Sequence, residues 1–260
     1  MPVTPSDQGW DVAPAALTLS NHDVHVWRTS LELNADHVRR LRQTLSADEI
    51  ARAERFRFER DRRHFIVARG VLRMILSRYL GLGPHQLGFC YSPYGKPALA
   101  TAPGRDWLRF NVSHSQALAL YAIARGREVG IDIEYMRDSV ATDMIAERYF
   151  SPREVTTFRA LPASQRREAF FTCWTRKEAY IKARGEGLSF PLDRFDVTLA
   201  PAEPPALLRT LGDPHEASRW SLRALAPGAA YMAALVVEGH NWQLTCWRWV
   251  PSRSDPSSPP

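Results

Sequence analysis

Ser46-Ala47-Asp48-Glu49 and Ser151-Pro152-Arg153-Glu154 carry the organisation of this chain. Each places a serine at a helix start and a glutamate three residues on, so that the two side chains can satisfy each other's free amides. The second adds proline at the first helical position, where its missing N–H costs nothing. Ser151 follows Ser46 by 105 residues, and Arg166-Arg167 follows Arg62-Arg63 by 104. Repetition at that period implies two similar α+β halves, and their junction is a natural place for a cleft. The boundaries that follow are an N-terminal extension at 1–20, a first half at 21–125, a second half at 126–250 and a Pro/Ser-rich, disordered tail at 251–260.

Local patterns fill in the halves. Residues 24–27 read as a strand, 35–45 as a helix, and 65–80 as a long helix stopped by Gly81-Leu82-Gly83-Pro84. Residues 89–124 read as strands, with turns at 92–95 and 102–104. Loops are expected at 200–205 and 211–215, and closing strands at 231–237 and 242–250.

A chain of 260 residues that is 45% hydrophobic and 24% charged can build its own core, which excludes disordered and collagenous classes. Cys90, Cys173 and Cys246 are too few and too scattered for a disulfide framework or a zinc ribbon. No apolar run approaches the ~18 residues of a membrane helix, and no signal peptide precedes the first strand, so the cytoplasm is the expected compartment. The net charge of +6 favours an anionic substrate or an acidic partner. Lys96, Lys177 and Lys182 are the only lysines, leaving 31 arginines among the 34 basic residues. Lysine is a compact, titratable point charge that arginine cannot copy, so these three positions stand out.

Four stretches carry candidate chemistry. In Val129-Gly130-Ile131-Asp132-Ile133-Glu134 the period of a strand puts both carboxylates on one face, where they repel unless a cation sits between them. Such oxygen ligands suit Mg²⁺ shared with substrate phosphates. In the stretch from Trp174 to Lys182, read as helix, Trp174, Glu178 and Lys182 share one face, and Glu178 could complete the metal site. Phe110-Asn111-Val112-Ser113-His114-Ser115, read as a turn after Tyr94-Gly95-Lys96-Pro97, offers hydroxyl and imidazole groups to a phosphate. Arg52, Arg55, Arg57, Arg60, Arg62 and Arg63 form a basic run that fits a phosphate or an acidic partner.

Together with Gly185-Glu186-Gly187-Leu188-Ser189-Phe190-Pro191-Leu192, these motifs resemble, in order and spacing, the 4′-phosphopantetheinyl transferases, specifically the larger surfactin-synthetase-activating type. The resemblance covers roughly residues 46–200 and implies an α+β fold, a pseudo-dimer of two similar α+β subdomains with the active site at their interface, in agreement with the repeat. It implies transfer of the phosphopantetheine arm of coenzyme A to a serine of an acyl or peptidyl carrier protein, with release of adenosine 3′,5′-bisphosphate. It further implies that Asp132, Glu134 and Glu178 hold Mg²⁺, with Mn²⁺ as a substitute. Lys182 would neutralise or protonate the leaving phosphate, and Glu178 would act as base for the serine, directly or through water. Gly95, Lys96 and Pro97 would lie along the adenine, and Ser113 and His114 would face the 3′-phosphate. Relatives often use lysines near the first helix for that phosphate; here Arg52 and Arg55 are the candidates, with Arg62 or Arg63 as substitutes. An acidic carrier protein as partner, a monomeric state, and neither nucleic acid nor membrane as target complete the expectation. A metal nuclease and a basic binding module are the rival classes. The module would not need Asp132, Glu134 and Glu178 together, and the nuclease would need two metals.

Overall fold

The computed structural model describes residues 9–100, 107–140, 142–201 and 203–251. The expected turn at 102–104 and nearly all of the expected tail lie outside them.

Two three-stranded antiparallel units form the frame. The first joins β2 (Asp23–Ser30), β6 (Leu118–Arg125) and β5 (Leu108–Ser115) in that spatial order. The second joins β7 (Val129–Tyr135), β11 (Tyr231–Glu238) and β10 (Trp220–Leu225) in the corresponding order. In each unit the first strand pairs with the last, and the penultimate strand lies outside. Their inner faces pack together: Val24, Val26, Leu120 and Ala122 from one and Val129, Ile131, Ile133 and Leu235 from the other form one buried cluster. Alternation along a strand then turns the intervening residues of β2 and β7 outward, each toward a long helix.

Those helices are α3 (Glu59–Leu80) and α6 (Ala163–Arg184), each 22 residues long. Both end on a left-handed glycine, Gly81 at φ 64° and Gly185 at φ 79°, a conformation that a side chain would strain. Before each comes a short capped helix, α2 (Ala47–Glu54) or α5 (Pro152–Ala160). Glu49 accepts from the Ser46 amide at 3.0 Å, and Glu154 from the Ser151 amide at 2.8 Å, as the repeated motif predicts. Each glutamate also reaches the next long helix. Glu49 pairs with Arg73 at 2.7 Å, and Glu154 with Lys177 at 2.7 Å, both pairs almost wholly buried. The caps thus lock a short helix onto a long one in both halves, and the α+β pseudo-dimer is what the chain forms.

Three features depart from the expected elements. The closing strand β12 (Gln243–Arg248) runs parallel to β2 in the first sheet rather than extending the second. It covers the free edge of β2, and its Trp247 packs on His25 and Trp27. β1 (Asp11–Val12), inside the expected N-terminal extension, pairs with β12 in turn. Residues 113–115 are the end of β5, not a turn. Ahead of α2 lies α1 (Ala35–Arg42), and β3 (Phe89–Tyr91) and β4 (Pro97–Leu99) form a hairpin between the halves.

Candidate active site

The site forms where the edges of the two sheets meet. β5 and β7 share no backbone ladder; side chains of β5 stitch them instead. The Ile131 amide donates to Asn111 Oδ1 at 2.9 Å, and the Tyr135 amide to Ser115 Oγ at 3.0 Å. Ser113 Oγ donates to Asp132 Oδ1 at 2.9 Å and Ser115 Oγ to Glu134 Oε2 at 3.0 Å. Asn111, Ser113 and Ser115 are all buried. Alternate residues of one motif therefore satisfy the otherwise orphaned amides of β7 and aim its carboxylates.

Gly130 sets how close the catalytic-side helix comes. A Cβ there would lie 2.0 Å from the Ala179 carbonyl oxygen of α6, so only glycine permits the contact. One strand period on, Asp132 meets Lys182, whose Nζ stands 2.5 Å from Oδ1 and 3.1 Å from Ser113 Oγ. Burial raises the Asp132 carboxyl above its ordinary value, with Lys182 opposing. Glu134 is raised by burial and then by the Asp132 charge. Glu178 is pushed up to about 7 by burial, against Lys182 and with repulsion from Asp132 and Glu134. Burial alone would lower Lys182, but Asp132, Glu178 and Glu134 outweigh it and hold the ammonium above its usual range. The structure thus brings together all four residues read from the two motifs.

The donor set fits a hard divalent ion. Asp132 Oδ2 is buried without a hydrogen-bond partner, and Asp132, Glu134 and Glu178 stand close enough for their charges to repel one another. Among the described residues no three such side chains stand as a ready-made ion cage; Lys182 occupies the near side of Asp132.

Beside the carboxylates opens a cavity of about 600 Å³. Arg52 and Arg60 of the basic run line it with Gly95, Pro97 and His114, together with His64, Arg69 and Tyr91, which the sequence reading did not single out. His114 sits one residue from Ser113, so β-alternation sends the two to different places. Ser113 bonds the Asp132 carboxylate, and His114 lines the cavity. His114 is held below the usual imidazole range by burial, then by Lys182 and by His64 across the cavity. Arg55 is exposed and lies outside the lining. Arg62 and Arg63 turn to a separate groove, where Arg63 donates to the Leu33 carbonyl at 2.9 Å. Lys96 also points away from the cavity, to Glu128 and the Ala183 carbonyl.

Arg69 is the most telling residue absent from that reading. It is 8% exposed, stacks over Phe89, donates to Tyr91 Oη at 2.6 Å and faces Glu49 at 3.3 Å, yet its Nη1 is unpartnered. Glu49 already serves Arg73, so one carboxylate answers two guanidiniums and the cavity wall keeps a positive charge. Its only sequence signal is an arginine one turn before Arg73 on a helix otherwise turned to the core. Lys177, by contrast, has no part in this site; it is fully buried on Glu154 and the Leu192 and Phe195 carbonyls.

Comparison with known proteins agrees with this arrangement half by half. Residues 25–125 match the family described as 4′-phosphopantetheinyl transferase, N-terminal, and residues 128–236 match the 4′-phosphopantetheinyl transferase superfamily. The chain belongs to the 4′-phosphopantetheinyl transferase family. Among individual proteins it is 43% identical to the 4′-phosphopantetheinyl transferase HetI of Nostoc sp., over 92% of this chain and 98% of that protein. A 4′-phosphopantetheinyl transferase of Bacillus subtilis is 34% identical over 64% of this chain and 72% of its own length. Sfp of Bacillus subtilis strain 168 is 30% identical over the same shares.

Proposed function

We propose that this protein moves the phosphopantetheine arm of coenzyme A onto a serine hydroxyl of an acyl or peptidyl carrier protein and releases adenosine 3′,5′-bisphosphate. The observation that carries the reading is the cluster of Asp132, Glu134, Glu178 and Lys182 at the seam of the halves, with β5 between it and an arginine-lined cavity: Ser113 and Ser115 bond the carboxylates while Val112 and His114 line the cavity. A pyrophosphate near the carboxylates and a phosphorylated nucleoside in the cavity would use both parts. The surfactin-synthetase-activating type fits best, because both halves of the site lie in one chain, which would act as a cytoplasmic monomer.

The step exchanges one P–O bond for another. The carrier serine oxygen bonds to the phosphorus that bears pantetheine, and the bond from that phosphorus to the adenosine-side phosphate oxygen breaks. Glu178, poised at about 7, takes the serine proton. Lys182, held cationic by its neighbours, meets the charge that develops on the leaving phosphate and can return a proton to it. Arg69, Arg52 and His114 orient the nucleotide end. Asp132, Glu134 and Glu178 would hold Mg²⁺ or Mn²⁺, which supplies Lewis-acid charge at the pyrophosphate when bound. Ser113 and Ser115 fix the rotamers of those carboxylates.

The test incubates the protein with coenzyme A, Mg²⁺ and a panel of apo-carrier proteins and follows the carrier's mass. The expected result is addition of the arm, abolished by chelation and reduced at least ~10²-fold in Asp132→Ala. No mass gain on any carrier, or near-normal turnover of Asp132→Ala, would overturn the reading.

A further inference from the structure

Two motifs remain without a role in the chemistry: Tyr94-Gly95-Lys96-Pro97 and the glycine-rich run that follows α6. They lie against each other. A Cβ on Gly185 would stand 3.5 Å from Lys96 Cδ, and one on Gly187 would stand 3.4 Å from Tyr94 Cβ. Lys96 Nζ then donates to the Ala183 carbonyl at 3.1 Å and to Glu128 Oε2 at 3.0 Å. Ala183 is in the last turn of α6, where a cation meets the negative end of the helix dipole. Glu128 directly precedes β7, the strand of Asp132 and Glu134, and Arg109 of β5 pairs with its other oxygen at 3.0 Å.

The Lys96 ammonium therefore ties the hairpin loop to both elements that carry the reacting groups, α6 and β7. The loop itself is tight: the Gly95 amide donates to the Ser92 carbonyl at 2.9 Å, the Ser92 amide to the Lys96 carbonyl at 2.9 Å, and Gly95 has φ 81°. On its other side Gly95 and Pro97 line the large cavity, and Tyr91 of the same hairpin is held by Arg69 of α3. One hairpin thus spans the nucleotide-side wall and is fastened to each half by a different side chain.

We infer that Lys96 is a positioning residue: through Glu128 and the Ala183 carbonyl it holds the Gly95–Pro97 wall of the cavity in register with the Glu178–Lys182 end of α6, without touching the donor itself. The inference rests on the proposed function for the identity of the donor, and on geometry alone for the fastening.

The experiment measures coenzyme A binding by calorimetry, steady-state kinetics on a responsive apo-carrier, and hydrogen exchange of the loop at 92–97. Lys96→Met should raise Kd and KM for coenzyme A by about tenfold while changing kcat less than threefold, in keeping with lost positioning rather than lost chemistry. Exchange at 92–97 should quicken in the unliganded protein. Lys96→Arg, which keeps the charge, should recover part of the loss. Glu128→Gln should reproduce a weaker form of the effect, and the double variant should be no worse than Lys96→Met. If the Lys96→Met penalty persists undiminished in the Glu128→Gln background, or loop exchange does not change, Lys96 acts on the donor directly and the inference fails. Unchanged affinity in Lys96→Met would also sink it. Failure of the proposed function would look different: wild-type protein would transfer nothing, yet the loop's exchange response to Lys96→Met would still be readable.

Discussion

The two halves place the same elements at the same spacing and fill them with opposite chemistry. Val24 and Val26 of β2 occupy the inter-sheet core where Val129 and Ile131 of β7 do, each pair offset by 105 residues. On the outward face, the offsets that align those valines also align His25 with Gly130, Trp27 with Asp132 and Thr29 with Glu134. On the long helices, offset by 104, Met74 stands for Glu178, Arg78 for Lys182 and Tyr79 for Ala183. In the first half this space is a closed aromatic cluster. Trp27 Nε1 donates to Tyr79 Oη at 2.9 Å, Tyr79 meets His25 Nδ1 at 2.7 Å, and Arg78 lies 5.2 Å over the Trp27 ring. In the second half glycine lets the helix drop onto the strand, and the volume that Trp27 fills is left to a carboxylate and its lysine. A reactive centre here needs an emptied position as much as it needs acidic residues, and the filled twin supplies the rigidity.

The sharpest way to break this comparison is to close the gap. Gly130→Ala would press a methyl into the Ala179 carbonyl and the Ala183 backbone, atoms that cannot rotate away. Overpacking against backbone should exceed the usual ~1–3 kcal/mol, lowering Tm by about 10 °C or preventing folding. Transfer should fall with it, because α6 must lift and carry Glu178 and Lys182 out of register. Differential scanning calorimetry and carrier mass spectrometry check both. A Gly130→Ala protein of wild-type stability would show that the close approach is incidental.

How much of this the sequence could show follows from how local each cause is. Caps, glycine stops and the Asp132/Glu134 alternation involve neighbours in the chain, so the two capped helices, the β7 strand and the Glu178–Lys182 face could be read there. The two similar halves were legible in the repeat of the capping boxes. What escaped depends on distant partners. β12 leaves its own half because an exposed β2 edge and the Trp27–His25 surface receive it, and nothing within 242–250 encodes that. Asn111 and Ser115 become site residues because the β7 amides lack a neighbouring strand. Arg69 matters because Glu49 is shared, a fact of packing. Lys96 was assigned to the ligand wall by its motif, whereas its own long side chain reaches past that wall to α6.

Protonation should separate the halves by sign. In the first, Tyr79 Oη accepts from Trp27 Nε1 and hydrogen-bonds His25 Nδ1 inside the buried aromatic cluster. Burial holds His25 below its ordinary 6.5, so its contribution to stability is present above that value and is lost as pH falls beneath it. In the second half Glu178 is raised from 4.5 to about 7. The folded state keeps that proton longer than the unfolded chain does. Its contribution is therefore full below pH 4.5 and drains away as pH rises through about 7. In chelator, hydrogen exchange should show β2 and α3 loosening on acidification to pH 5.5, and the end of α6 loosening as pH rises from 4.5 to about 7. His25→Gln should remove the first trend and Glu178→Gln the second. Trends of the same sign in both halves would contradict the contrast. Mg²⁺ held by Glu178 would favour the ionised carboxylate, so adding Mg²⁺ should move the Glu178 transition to lower pH.

The smallest effect should come from exchanging the two twinned cations. Arg78 stacks on Trp27 and donates through one nitrogen, Nη2, to the Pro14 and Ala15 carbonyls, bonds that an ammonium can also make. Arg78→Lys keeps the cation and the aliphatic stem, so the loss should be about 0.5 kcal/mol, the scale of an accessible cation–π contact. For a chain of this size that is a Tm shift of roughly 1–2 °C, with carrier modification unchanged. The reciprocal change is not symmetric. Lys182 bonds Asp132 through one compact nitrogen that also reaches Ser113, and the chemistry assigned to it needs a proton it can give up. Lys182→Arg retains the ion pair but supplies a planar fork that does not deprotonate. Turnover should therefore fall at least ~10-fold while Tm moves little, in line with acid–base contributions of ~10²–10⁴. Measured together, the two exchanges weigh one side-chain difference in two twinned settings. Equal, small effects at both would mean that Lys182 is only a counter-charge to Asp132, and that the second half differs from the first in its partners rather than in its proton chemistry.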